Sequence, residues 1–159
     1  RYNRRLSLLR DRAVIHTLYS TAARISELVS LDRERVRNGA AKVVTIESSG
    51  KSRDIIFETY AQTSIRAYLR ERKDDNPALF IAHSRNAGEA RLSITSVHNV
   101  VKRAVHALSL DTGLSAHDFR HYRATQLLRE GMSLAEIQEL LGHSDIATTR
   151  NIYSPVLDN

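Results

Sequence analysis

The spacing of apolar positions divides the chain into helical stretches with one interruption of strand period. Leu9, Ala13 and Leu18 give the segment from Leu6 to about Tyr19 an apolar side and predict a first helix, with a second from about Ala23 to Leu31. The period then changes. "KVVTIE" and "SRDIIF" are β-branched runs separated by "SSGK", which predicts a hairpin. Thr59 and Gln62 stand at capping-box spacing and predict a helix through about Arg72. "NPALFIAHSRNAGEARL" reads as a short extended piece followed by a polar loop. The clearest helix runs from Ser93 to Leu108, where Val97, Val100, Val101, Ala104, Val105 and Leu108 follow the helical repeat without a miss. Ser115 with Asp118 opens a helix to about Glu130, and Ser133 with Glu136 opens another that stops at Gly142. Ser144 is placed to cap a last helix, which carries Tyr153 before Pro155 ends it. The class is α+β: a mostly helical single domain with a small antiparallel β-sheet.

Composition narrows the partners. The 159 residues, 42% of them hydrophobic, suffice for one domain with a real core. No apolar run approaches the ~20 residues that span a bilayer. The basic start "RYNRRLSLLRDR" lacks the apolar stretch of a signal peptide. No membrane partner is expected. There is no cysteine, which excludes a disulfide framework, a thiolate metal site and a cysteine nucleophile, and suits a reducing, intracellular setting. The net charge of +6 favours an anionic partner, and nucleic acid is the commonest.

Against this scaffold a few polar residues stand out. Arg24 in "TAARISEL" lies at a helix start, with Glu27 one turn on. Lys51 in "ESSGKSRDI" sits at the tip or entry of the hairpin, and His117 and Arg120 in "SAHDFRHYRAT" share one helix face. His143 follows a Leu-Gly helix stop, and Tyr153 stands just before Pro155. Singly, each has an ordinary explanation: a surface ion pair, a solvated edge lysine, packed histidines, a buried phenol. Together they fit attack on a phosphodiester. A tyrosine hydroxyl, with a pKa of ~10, needs a base or a positive field to act as nucleophile. Charge gathers on the non-bridging oxygens, which suits the planar two-pronged donation of Arg24 and Arg120. Histidines donate to those oxygens or move protons, and a lysine protonates the departing sugar oxygen. Positive side chains doing this work require no metal.

The pieces "TAARISELVSL", "GKSRDIIF" and "HDFRHYRATQLLREGMSLAEIQELLGHSDIATTRNIY" resemble the catalytic domain of the tyrosine recombinases, the family of phage-type integrases and chromosome-dimer-resolving enzymes. The resemblance covers nearly the whole chain, and the last piece is the most specific. It implies the catalytic-domain fold of that family and a site-specific recombinase or integrase that cleaves and rejoins DNA strands. Tyr153 would attack the scissile phosphate, giving a 3′-phosphotyrosyl link and a free 5′-hydroxyl. Arg24, Arg120 and His143 would hold the phosphate, His117 would assist proton transfer, Lys51 would act as general acid, and Glu27 would orient Arg24. Arg24, Lys51, Arg120 and His143 would thus be the DNA-binding residues as well. No cofactor and no metal are implied. Double-stranded DNA is the implied partner, with self-association into dimers or tetramers on DNA in the full-length protein, in the cytoplasm at the nucleoid. Residues 1–159 are then expected to be the catalytic domain alone, without the N-terminal core-binding domain. In one departure, Ala22-Ala23 stands where a glycine commonly precedes the first arginine.

Three other readings compete. "SLAEIQELLGHSDIATTRNIY" resembles a helix-turn-helix, in which the protein would bind DNA without catalysis and Tyr153 would be structural. "HDFRH" places His117 and His121 at a spacing that can bind zinc, although Asp118 stands where such a motif carries glutamate. Type IB topoisomerases use a similar arginine, lysine, histidine and tyrosine set, but religate without exchanging partners.

Overall fold

The computed structural model describes residues 4–48, 50–83, 90–109 and 113–157. Helix α1 (Arg4–Thr21) is followed by the short α2 (Ile25–Ser30), a 3-10 turn at Arg37–Gly39 and the hairpin β1 (Val43–Ser48) and β2 (Lys51–Ile56). Among the described residues five further helices follow: α3 (Thr59–Glu71), α4 (Ile94–Ala107), α5 (Ala116–Arg129), α6 (Leu134–Leu141) and α7 (Ile146–Leu157). The class is therefore the expected one, mostly helical with a two-stranded antiparallel sheet. None of the described helices is long and apolar enough to cross a membrane.

Two apolar clusters hold these elements. In the larger, Ala13, Val14 and Leu18 of α1 meet Leu28, Ile65, Tyr68, Val97, Val100 and the inner face of the hairpin. That face is set by strand alternation. Val44 pairs with Ile55 and Ile46 with Arg53, all four buried, while Val43 and Ile56 turn outward. The smaller cluster joins Ala22, Ala124, Leu128, Ile137, Leu140, Leu141 and Tyr153, so the C-terminal helices pack under the end of α1.

The extended piece read in "NPALFIAHSRNAGEARL" exists as buried Ala78–Ile81, bridged singly to Asp32 and Arg91. Residues 84–89 of the expected loop, and Ser49 of the hairpin turn, lie outside the described residues. The Leu79 amide donates to the Leu31 carbonyl at 2.8 Å, fixing the chain just after α2. Arg72 secures the same segment, its side chain fully buried. It donates to the carbonyls of Ala78 (2.7 Å), Leu79 and Asn76 and to both oxygens of Asp74.

The capping boxes at Ser115 and Ser133 form where the sequence places them, and Ser93, at the expected start of α4, accepts from the Ser96 amide as its cap. Three local expectations fail. Glu58, not Thr59, precedes α3, and Gln62 makes no capping box. Its side chain is buried and donates to the Ala41 carbonyl at 2.8 Å, satisfying the turn packed against α3. Asp145 rather than Ser144 caps α7, accepting from the Ala147 amide at 2.9 Å. Pro155 does not end that helix but lies inside its last turns, and the helix continues to Leu157.

Arg72→Met should destabilise the protein by about 3–5 kcal/mol in urea unfolding, because it leaves the Asp74 carboxylate buried without its partner. A loss below about 1 kcal/mol would show that the buried pair does not hold the segment after α2.

Candidate active site

Helix α1 leaves its last turn through Ala22, whose φ of 50° lies in the left-handed region. The chain reverses there, and Arg24 becomes the N-cap of α2. Three residues on, the buried Glu27 carboxylate accepts from the Arg24 amide (2.7 Å) and from Arg24 Nη1 (3.1 Å). It is also gripped by both terminal nitrogens of Arg53, each at 2.7 Å. Burial alone would raise the Glu27 pKa. The bonds from Arg53, the Arg24 amide and Ser48 outweigh it and hold the carboxyl at about 2.

A single helix end collects the arginines. Helix α6 closes on Gly142, with φ of 61°, and the His143 amide reaches back to the Gln138 carbonyl at 3.1 Å. The Gly142 amide takes the Glu139 carbonyl at 3.0 Å. The next three carbonyls each take a guanidinium. Arg53 Nε donates to Leu140 (2.8 Å), Arg120 Nη2 to Leu141, and Arg24 Nη2 to Gly142 (3.4 Å). Arg120 also donates through Nη1 to the Ala22 carbonyl at 2.5 Å, tying α5 to the turn after α1. Burial, with the charges of Arg24 and Arg53, lowers the Arg120 pKa to about 10, so it remains a cation at neutral pH.

His143 hydrogen-bonds through Nδ1 to Thr149 Oγ1 (2.9 Å), one turn before Tyr153 on α7. Burial first, then the cations Arg120, Arg24 and Arg53, lower its pKa and favour the neutral ring. Tyr153 is 3% exposed. Its ring stacks on His121, with centroids 5.1 Å apart and planes inclined by 24°. Burial raises its pKa, and the Arg120 charge partly opposes this.

The candidate residues are thus brought to one region, though not to one surface. Arg24, Lys51 and His143, with Arg53, Gly142 and Ser144, line an open cavity of about 540 Å³. Lys51 is exposed at the start of β2, opposite Ser48. Arg120 and Tyr153 are buried and do not line the cavity. His117 is exposed in the first turn of α5 and does not line it either, but its charge is among those acting on His143. His121, the second histidine of the zinc reading, is turned to the Tyr153 ring. Among the described residues no group of three or more histidine, aspartate or glutamate side chains is placed to hold a metal ion.

Arg53 is the residue that the motifs did not bring forward. One signal was available: it occupies an inward position of β2, beside Ile55, where a cation requires a buried partner.

The arrangement gathers cations around an open cavity, with Tyr153 buried in the adjoining apolar cluster. The model of the phage integrase family matches residues 3–159, and the chain belongs to that family, the tyrosine recombinases. It is 40% identical over 154 residues to tyrosine recombinase XerD of Corynebacterium glutamicum, covering 93% of this chain and 49% of that protein. It is 36% identical over 150 residues to tyrosine recombinase XerA of Pyrococcus furiosus, covering 93% and 51%. The chain therefore spans about half the length of these relatives. The crystal structure of XerA recombinase superposes with a TM-score of 0.81 at 25% identity, over 96% of this chain and 57% of that one. XerH recombinase bound to a palindromic difH substrate, in a post-cleavage complex, gives 0.75 at 25% identity, over 92% and 42%.

Glu27 links the site to acid stability. Its folded pKa lies below its ordinary value, so its contribution is complete above about pH 4.5 and is lost as pH falls towards 2. The shift corresponds to about 3 kcal/mol. Urea unfolding of the unaltered chain between pH 5 and pH 2 should show this loss, and Glu27→Gln should lack it. Equal acid slopes for the two proteins would refute the assignment.

Proposed function

We propose that this chain is the catalytic domain of a site-specific DNA recombinase that cleaves and rejoins double-stranded DNA through Tyr153. The observation that carries the proposal is the convergence of Arg24, Arg53 and Arg120 on the end of α6, directly over the cluster that buries Tyr153. Glu27 bonds to Arg24 and Arg53, whereas Arg120 bonds only to carbonyls among the described residues, so the cluster keeps a net positive charge suited to a phosphodiester.

In the proposed reaction the Tyr153 oxygen bonds to phosphorus and the bond from phosphorus to the 5′ oxygen breaks. Arg24, Arg120 and His143 bind the non-bridging oxygens, where negative charge accumulates. The phenol proton passes to His117 or to water, and Lys51 delivers a proton to the departing 5′ oxygen. One phosphodiester replaces another, so the step conserves bond type and a 5′-hydroxyl of a partner strand can reverse it. Glu27 and Arg53 orient Arg24 without touching substrate. Exchange between partners implies dimers or tetramers on DNA when the domain is part of its full-length protein, acting at the nucleoid. The helix-turn-helix reading fits less well, because it gives no role to the convergence of Arg24, Arg53 and Arg120 on the end of α6.

Incubation with nicked duplexes in EDTA should give a denaturation-resistant protein–DNA adduct. Tyr153→Phe should abolish it with little change in DNA affinity; an adduct from that variant would remove Tyr153 as nucleophile. Transfer of label between two duplexes would separate strand exchange from religation of a topoisomerase kind. Arg24→Lys should slow adduct formation about a hundredfold or more, since an ammonium cannot make the paired contact. A near-normal rate would leave Arg24 a structural role only.

A further inference from the structure

His121 has no part in the chemistry above, yet its ring is the one aromatic surface laid on the Tyr153 ring among the described residues. The neighbouring Arg120 turns inward to the Ala22 and Leu141 carbonyls, and the helical step between consecutive residues carries His121 to the side where α7 passes. The ring planes are nearly parallel, inclined by 24°, which is the offset-stacked arrangement favoured by aromatic pairs. The other buried members of the cluster that holds Tyr153 are aliphatic: Ala22, Ala124, Leu128, Ile137, Leu140 and Leu141. A stacked ring adds to this burial an orientation-dependent contact that aliphatic neighbours do not supply.

Helix α7 is held at a second point. Thr149 stands one turn before Tyr153 on the same inward face, is buried, and hydrogen-bonds to His143. The His143 contact fixes the helix along its axis. It does not itself prevent rotation of the Tyr153 side chain about its Cα–Cβ bond, the rotation that swings the hydroxyl.

We infer that His121 is a positioning residue, whose ring, stacked on that of Tyr153, stops the tyrosine side chain from swinging about its Cα–Cβ bond and so fixes where its hydroxyl lies. It acts through Tyr153 and touches no phosphate. The inference rests on Tyr153 being the nucleophile, and its test is built to separate the two.

His121→Ala and His121→Phe would be compared with the unaltered chain by rate of adduct formation on a nicked duplex in EDTA, duplex affinity and thermal melting. His121→Ala should slow adduct formation about ten- to a hundredfold with unchanged duplex affinity, as small misplacements of a reacting group do. His121→Phe, which keeps a flat face without ring nitrogens, should return to within a few-fold of the normal rate. A normal rate in His121→Ala overturns the inference. So does a His121→Phe as slow as His121→Ala while melting normally, because the face would then not be what matters.

A second readout needs no DNA. The Tyr153 ring resonances, identified by their loss in Tyr153→Phe, should move in His121→Ala and largely return in His121→Phe. Unmoved resonances in His121→Ala overturn the positioning role. If the unaltered chain forms no adduct while these resonances shift as stated, the proposed reaction fails and the positioning of the ring stands.

Discussion

The site depends on the unsatisfied carbonyls at one helix end. A helix leaves its last carbonyls without intrahelical partners, and they carry the negative end of its dipole. In α6 the turn through Gly142 covers Gln138 and Glu139 with backbone amides, and Leu140, Leu141 and Gly142 remain. Their three arginines come from β2, α5 and the start of α2. Guanidiniums gathered in this way repel one another. Carbonyl dipoles and a single carboxylate offset part of that repulsion, and the remainder is a standing attraction for an anion. The same contacts that close the C-terminal half of the fold thereby create the charge that the site uses.

Burial then sorts the other groups by protonation. Tyr153 lies under the arginines in an apolar cluster, where its neutral form is favoured, and the Arg120 charge only partly opposes this. His143, beside the same cations, is pushed towards its neutral form. Both shifts follow from one cause, since a positive cluster at the edge of an apolar core disfavours further cations and burial disfavours any ion. On the proposed chemistry an arriving phosphate changes that balance. Its charge compensates the arginines and makes a protonated His143 less costly at the moment a donor is needed.

Much of this could be read from the sequence, for a local reason. The hairpin, the capping boxes at Ser115 and Ser133, and the glycine stop at Gly142 are decided by residues within a few positions of one another, and each formed where expected. Arg24, Lys51, His143 and Tyr153 stood out because polar residues of those types occupied places that no helix rule requires. What escaped was decided at long range. Gln62 has the spacing of a cap, but the carbonyl that needs it belongs to Ala41. Arg53 reads as one more strand residue until Glu27 and Leu140 are found around it. Asp145 and Ser144 were equally able to cap α7, and spacing does not rank them. The seating of Tyr153 against His121, on a different helix, has no local signature at all.

The alanine at position 22 shows how closely the turn and the site are coupled. Its carbonyl must point at Arg120, and the chain achieves this only by entering the left-handed region, where glycine has no penalty. An L-residue there costs roughly 1–2 kcal/mol. The Ala22 methyl, however, is fully buried in the cluster that holds Tyr153, and a buried methyl group contributes about 0.8 kcal/mol. The two effects are of similar size, so alanine can occupy this left-handed position without losing the carbonyl's direction. In exchange, the turn that orients Arg24 shares its apolar cluster with the residue proposed to attack, so the seating of the arginines and of the tyrosine rest on one set of side chains.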